Sequence, residues 1–239
     1  MEKPDFSFEN ELWEAGIGMV AGLDEVGRGS FAGPVYAGCV VFKHGVLIPE
    51  EININDSKKL KFRERAKMAL WIKGNSLTWG VGSASVTEIN KKGLGKAASS
   101  AFRRALGTAA GKMGSRIEYL LIDAFYIPYT RGFPVTDRNS DLTDAFEFNS
   151  RQMAIKKGDA KSVSIAAASI VAKVERDNLM MRLGRREEYK VYKWAKNKGY
   201  GSKEHREAIM KYGTSRHHRT TFVNTYLAKV SKDGKLHQL

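Results

Sequence analysis

The chain has 239 residues, a formal net charge of +14 at pH 7 and 42% hydrophobic residues, enough apolar material for a packed core. Its single cysteine, Cys39, excludes an intrachain disulfide and a thiolate zinc site, and no apolar run approaches the ~18 residues of a membrane span. The charge is uneven: residues 1–150 carry 19 Lys and Arg against 18 Asp and Glu, whereas residues 151–239 carry 21 against 8. An anionic partner is implied for the basic third, nucleic acid ahead of a membrane because aromatics are interleaved with the charge. The competing reading is a helical face kept in solution by its lysines. The first sixteen residues are acidic and lack the apolar stretch of a signal peptide, and a reducing, cytoplasmic setting is expected.

In chain order, the apolar run Val20 to Leu23 closes on Asp24 and Glu25. Gly27-Arg28-Gly29 and a second small-residue turn, Ala32-Gly33-Pro34, follow. This reads as a buried strand ending in a glycine loop. Two carboxylates beside glycine N–H groups and an arginine suit a metal site working on a phosphodiester; merely solvated acids at a strand end are the equal alternative. Neighbouring strand residues face opposite ways, so Asp24 and Glu25 share a site only if the strand ends or bends there. A second strand covers residues 35–42. Asp56 or Ser57 then caps a helix running to about Lys73. Residues 76–84 alternate as a third strand, and Ser85 with Glu88 has capping-box spacing ahead of a glycine-broken helical region reaching about Lys112. Within it, Gly93-Leu94-Gly95-Lys96 does not follow a strand and lacks a phosphate-loop fingerprint.

Residues 117–123 form another buried strand closing on an acid, Asp123; in isolation an Asp at a strand end is more often a turn former. Residues 124–149, with two prolines and four acids, are read as an insertion near the rim of the site. A strand from Arg151 runs into the basic turn Lys156–Asp159, and a helix rich in small residues follows from Ser162. The chain beyond Leu179 is helical and basic. None of the five histidines in the whole sequence has metal-ligand spacing, and His217-His218 is read as phosphate-facing or structural.

The run DEVGRGSFAGPV (residues 24–35) resembles the signature loop of the type 2 ribonuclease H (ribonuclease HII) family, with Val26 where alanine is usual. NDSKKL (55–60), Lys157-Gly158-Asp159, AASIVAKVERD (167–177), KGYGSKEH (198–205) and His218-Arg219 with Phe222 echo further family motifs, Thr221 standing where serine is usual. The resemblance implies an α/β fold, a ribonuclease H-like mixed sheet flanked by helices with a small helical C-terminal region. A catalytic core over 17–180 and a basic substrate-binding region over 181–239 are expected. It implies that Asp24, Glu25, Asp123 and Asp159 are the catalytic, metal-binding carboxylates, Asp177 being the rival for the fourth place. Gly27, Arg28, Gly29, Lys58 and Tyr200 are the implied substrate contacts, and Mg²⁺ or Mn²⁺ the cofactor, two ions in the substrate complex. The implied activity is endonucleolytic hydrolysis of RNA in RNA/DNA hybrids and incision 5′ of single ribonucleotides in duplex DNA, leaving 3′-hydroxyl and 5′-phosphate ends. A monomer is expected, with no membrane association and no clear sliding-clamp motif. A DNA nuclease or recombinase on the same fold, or a non-catalytic hybrid-binding protein, are the rival readings.

Overall fold

A computed structural model describes residues 3–55, 57, 60–114, 116–124, 127 and 151–232. Lys58 and nearly all of the 124–149 segment, both singled out above, lie outside the described residues. The chain groups into two compact units. The first comprises Met1–Val26, Tyr36–Ser83 and Ala98–Glu175; the second comprises Gly27–Val35, Ala84–Ala97 and Arg176–Leu239. The grouping is not a linear cut, because the glycine loop after residue 26 and the stretch 84–97 cluster with the C-terminal third.

The first unit is built on a five-stranded sheet of order β3-β2-β1-β4-β5. Its strands are β1 (Val20–Val26), β2 (Val35–Val41), β3 (Thr78–Ala84), β4 (Tyr119–Asp123) and β5 (Gln152–Ile155). β1 runs antiparallel to β2 but parallel to β4, which is parallel to β5, so the sheet is mixed. The helices of this unit are α1 (Ser7–Glu14), α2 (Phe62–Asn75), most of α4 (Leu94–Met113) and α5 (Val163–Gly184) as far as Glu175.

Side-chain alternation assigns each strand residue a face. Val20 on β1, Val40 and Phe42 at β2, and Leu121 on β4 join one apolar cluster with Ile165, Ala168 and Val171 of α5. The run of small residues noted in the sequence lets α5 lie almost on the backbone of the sheet. A Cβ on Gly22 would stand 2.1 Å from the Ser164 carbonyl carbon, and one on Gly38 would stand 2.1 Å from the Ala168 oxygen. Only glycine fits at those crossings.

The N-terminus of α5 is secured by a residue the sequence did not single out. Glu9 of α1 is fully buried; its Oε1 accepts from the Ser162 hydroxyl (2.7 Å) and the Ser164 N–H (2.9 Å). A carboxylate at this end satisfies N–H groups that have no partner inside the helix and complements the positive end of its dipole.

Two local expectations change. Asp56 lies outside the described residues, and Ser57 does not cap α2, which starts at Phe62 with Lys61 as N-cap and the Glu64 carboxylate accepting the Lys61 N–H (2.8 Å). The reason is that Ser57 is occupied elsewhere. Its hydroxyl meets that of Ser169 (2.9 Å), and its carbonyl, like that of Leu60, accepts from the buried Arg65. The Ser85–Glu88 capping box is present at the head of α3 (Val86–Lys92), and Gly93 separates that helix from α4.

The second unit holds α3, the start of α4, the C-terminal part of α5, and α6 (Trp194–Asn197), α7 (Lys203–Tyr212) and α8 (Thr220–Lys232). Its own core gathers Ala32, Met180, Tyr189, Tyr192, Trp194, Ile209 and Val223. Asn90 ties α3 to the head of α8 by donating to the His218 carbonyl (3.3 Å) and accepting from the Thr220 N–H (3.0 Å).

Candidate active site

On β1 the alternation that turns Val20 and Gly22 toward α5 turns Asp24 the same way, and on β4 Leu121 is followed two residues later by Asp123. The third acid comes from a turn. After β5, Lys157 adopts a left-handed conformation and residues 158–160 form a short 3₁₀ segment carrying Asp159. The Gly158 N–H donates to Asp123 Oδ1 at 2.7 Å, which locks this turn onto the end of β4. As a result Asp24, Asp123 and Asp159 each offer a carboxylate oxygen, all within 4.8 Å of one another. Asp24 and Asp159 are buried, and Asp123 is half-buried.

Burial raises the Asp24 pKa well above its ordinary value, and the negative charge of Glu25 raises it further; a hydrogen bond from Ser169 opposes this, while Asp123 and Asp159 add to the rise. Ser169 is itself met by Ser57, so a chain of two hydroxyls leads from Ser57 to Asp24. Asp24 Oδ1 also accepts the Glu25 N–H at 2.7 Å. A largely buried cluster of three carboxylates is electrostatically costly without a cation, and its oxygen-only donors match what a hard divalent ion prefers. These residues fit such an ion.

Three of the four expected acids therefore meet, with Asp159 rather than Asp177 as the third. Glu25 is outside the trio. β1 does not end at the acids: it stays paired with β2 through Val26↔Tyr36, although its pairing with β4 stops at Leu23↔Ile122. The negative charge of Glu25 nevertheless acts on Asp24, ahead of those of Asp123 and Asp159.

In the second unit, Gly27-Arg28-Gly29 opens a loop whose backbone is fixed from within. Phe31 and Ala32 both donate to the Gly199 carbonyl (2.8 and 3.0 Å), and Gly33 donates to that of His217 (2.9 Å). Buried Arg176 donates to the Pro34 and Ala32 carbonyls and the Ser30 hydroxyl; buried Arg219 donates to Gly33 (2.9 Å) and Arg28 (2.8 Å). Gly27 has φ +91°, and a Cβ there would lie 2.1 Å from Arg176 Nε, so the turn requires glycine. Burial, and next the charge of Arg176, lower the Arg219 pKa to about 9. Tyr200 pairs with Ser30 through an isolated backbone bridge, yet its residue surface is 37% exposed.

Arg176 and Arg219 were not expected in this role. Their signal in the sequence is weak, since each lies more than 140 residues from the loop it holds.

A mixed sheet of this order with carboxylates gathered at its strands defines a nuclease of the ribonuclease H-like class. Comparison with known proteins narrows that class. The profile of the family described as ribonuclease HII matches residues 21–225. A curated ribonuclease HII from Caldanaerobacter subterraneus subsp. tengcongensis is 42% identical over 220 residues, covering 92% of this chain and 80% of its own. The crystal structure of ribonuclease H2 from Pyrococcus horikoshii OT3 superposes with a TM-score of 0.63 at 23% identity, covering 89% of this chain and 99% of that one. Bst-RNase HIII in complex with Mn²⁺ gives 0.65 at 19% identity, covering 90% and 72%. At such identities the two structures speak for the fold alone. The chain belongs to the ribonuclease HII family, whose members are type 2 ribonucleases H acting on the RNA of RNA/DNA hybrids. Among the described residues, no helix is long and apolar enough to cross a membrane.

Proposed function

We propose that this enzyme hydrolyses the RNA strand of RNA/DNA hybrids and also incises duplex DNA 5′ of a single embedded ribonucleotide. Water attacks phosphorus, the bond from phosphorus to the preceding 3′-oxygen breaks, and that oxygen takes up a proton, leaving 3′-hydroxyl and 5′-phosphate ends. The observation that carries this reading is the convergence of Asp24, Asp123 and Asp159 within 4.8 Å in a chain of this family. These three, with Glu25 adjacent, are the proposed ligands of two divalent cations, Mg²⁺ or Mn²⁺; the Mn²⁺ named with Bst-RNase HIII belongs to that protein and is consistent with the assignment. When bound, such ions lower the pKa of the attacking water and neutralise charge building on the leaving oxygen. The protein's own contribution is to hold the acids rigid, through the Gly158 amide on Asp123 and the Ser57–Ser169 pair behind Asp24.

Gly27, Arg28 and Gly29 are the proposed readers of the ribose. A 2′-hydroxyl is both donor and acceptor, and glycine backbone can approach it closely. Tyr200 would stack on the sugar at the junction with DNA, and Lys58 would reach a phosphate. The basic C-terminal region, proposed to grip the duplex, would make affinity fall with salt. A basal expectation follows for location and assembly: a cytoplasmic monomer, with residues 17–180 as catalytic core and 181–239 as substrate-binding region.

The test uses three labelled duplexes: an RNA/DNA hybrid, a DNA duplex with one internal ribonucleotide, and an all-DNA control, each with Mg²⁺, Mn²⁺ or EDTA. Metal-dependent cutting of the first two, with a single nick 5′ of the ribonucleotide, is expected. Cutting of the all-DNA control would indicate a DNA nuclease, and binding without cutting under every metal would indicate a binding protein.

A further inference from the structure

The second unit contains a polar pair that none of the chemistry above uses. His205 on α7 and His218, in the turn before α8, are buried (0% and 2% exposed), with their Nε2 atoms 3.1 Å apart. Their tautomers follow by elimination. The Tyr200 carbonyl can only accept, so His205 Nδ1, 2.8 Å away, carries a hydrogen. The Ser215 N–H can only donate, so His218 Nδ1, 2.8 Å away, is bare. In neutral rings this leaves His218 Nε2 protonated and His205 Nε2 as acceptor. The remaining neighbours agree, because Trp194 Nε1–H also donates to His205 Nε2 at 3.0 Å. An extra proton is poorly placed in this chain: on His205 Nε2 it would face two N–H groups, and on His218 Nδ1 it would face the Ser215 N–H, with only the Ser215 hydroxyl oxygen (3.1 Å) able to accept it.

The surroundings keep the pair neutral. Phe31 of the glycine loop lies 6.3 Å from the His205 ring, and Tyr192 lies 4.7 Å from that of His218. The titratable groups acting on the pair are each other and His217, on which Arg216, Arg186 and Glu188 act in turn. Burial above all lowers His205 and brings His218 to about 4.

What the pair holds is the turn carrying Tyr200. Lys198 and Gly199 both have positive φ (52° and 82°), a tight reversal after which the Gly199 carbonyl receives Phe31 and Ala32 and the Tyr200 carbonyl receives His205. The backbone of Tyr200 is thus pinned inward while its ring remains partly exposed.

We propose that the His205–His218 pair is a positioning device for Tyr200, fixing its backbone through the His205 Nδ1–H bond so that the ring is held ready for the ribonucleotide. The inference rests on the substrate role given to Tyr200 under Proposed function. His205→Gln retains an acceptor near the Nε2 position but deletes the donor to Tyr200, whereas His205→Asn retains that donor. His205→Gln is expected to lower kcat/KM on the single-ribonucleotide duplex about tenfold, the scale of one buried hydrogen bond, and His205→Asn only a few-fold. The deciding readout is a double-mutant cycle. In a Tyr200→Ala background the His205→Gln effect should vanish, because the device has nothing left to position. Multiplying effects would mean that His205 merely supports the unit, and would overturn the inference while leaving the proposed function standing. A wild-type protein inert on the duplex would instead overturn both.

A second measurement needs no variant and therefore survives a folding failure. Long-range ¹⁵N–¹H correlation of the wild-type imidazoles at pH 6 to 8 should find the Nδ1–H form at His205 and the Nε2–H form at His218. The opposite tautomers, or a charged ring at neutral pH, would refute the device.

Discussion

Replacing Asp24 with asparagine should remove cleavage and, at the same time, make the metal-free protein more stable. Two carboxylates ionised at 4.8 Å repel by about 3–4 kcal/mol at an effective dielectric of about 20, and Asp24 faces two such neighbours besides Glu25. The protein limits this cost by holding the Asp24 proton to higher pH, so only part of it is there to be relieved. A gain of about 1–2 kcal/mol, the usual size for a stabilising substitution at a functional site, corresponds to about 2–8 °C in thermal midpoint for a chain of this length. Asparagine keeps the oxygen that accepts the Glu25 N–H, so little packing is lost.

The sign follows from linkage. A carboxyl group whose folded pKa is raised favours the folded state at pH below its ordinary 3.8 and progressively loses that contribution as pH rises through the folded value. The gain from Asp24→Asn should therefore be absent at pH 3 and grow as pH rises. Calorimetry in EDTA at several pH values reads it directly. Millimolar Mg²⁺ should then raise the wild-type midpoint more than that of the variant and narrow or reverse the order. A variant less stable than wild type at pH 8 in EDTA would show that the three carboxylates do not crowd one another, and the metal-site argument would lose its physical basis.

Three further outcomes follow from the same structure. Mg²⁺ affinity, measured by titration calorimetry, should strengthen with pH as Asp24 gives up its proton, and a flat profile would contradict its buried, raised state. Gly38→Ala should cost at least about 1–3 kcal/mol in urea unfolding, because the new Cβ meets the Ala168 oxygen of α5 at 2.1 Å. Gly74→Ala, with open space around it in α2, should instead gain about 0.5–1 kcal/mol; equal effects at the two sites would refute the close-packing account. Arg219→Lys should cost roughly 2 kcal/mol and raise amide exchange across residues 28–33. Lysine cannot reproduce a fork that serves the Gly33 and Arg28 carbonyls together, and unchanged exchange would remove the arginine from that role.

Much of the candidate site was readable from local pattern. Asp24 and Asp123 stand out because each closes an apolar strand run, whereas Asp159 and the metal role of Asp123 came from the family resemblance. What local pattern could not settle was the path of β1 beyond the acids. Its pairing with β2 continues through Val26, past both acids. The cap of α2 was misplaced because lysine is not a usual N-cap residue, whereas Ser57 is a good one whose hydroxyl was already bound to Ser169, 112 residues away. Glu9, Arg176, Arg219 and the His205–His218 pair act through contacts distant in sequence or through tautomers, and no spacing rule announces either. The fold was more legible than its supports, since strands and helices follow nearest-neighbour periodicity and the groups that brace the site do not.

Cys39 sits in β2, fully buried, with its thiol pushed up to about 12 by desolvation. It is also the only cysteine in the chain. To a maleimide or a disulfide reagent at neutral pH, the native protein therefore offers almost no thiolate. A cysteine introduced at an exposed position such as Lys203 or Leu47 would be the one reactive handle on the molecule. A single fluorophore, spin label or nucleic-acid tether could then be attached without first removing the native thiol, leaving β2 and its contact with α5 undisturbed.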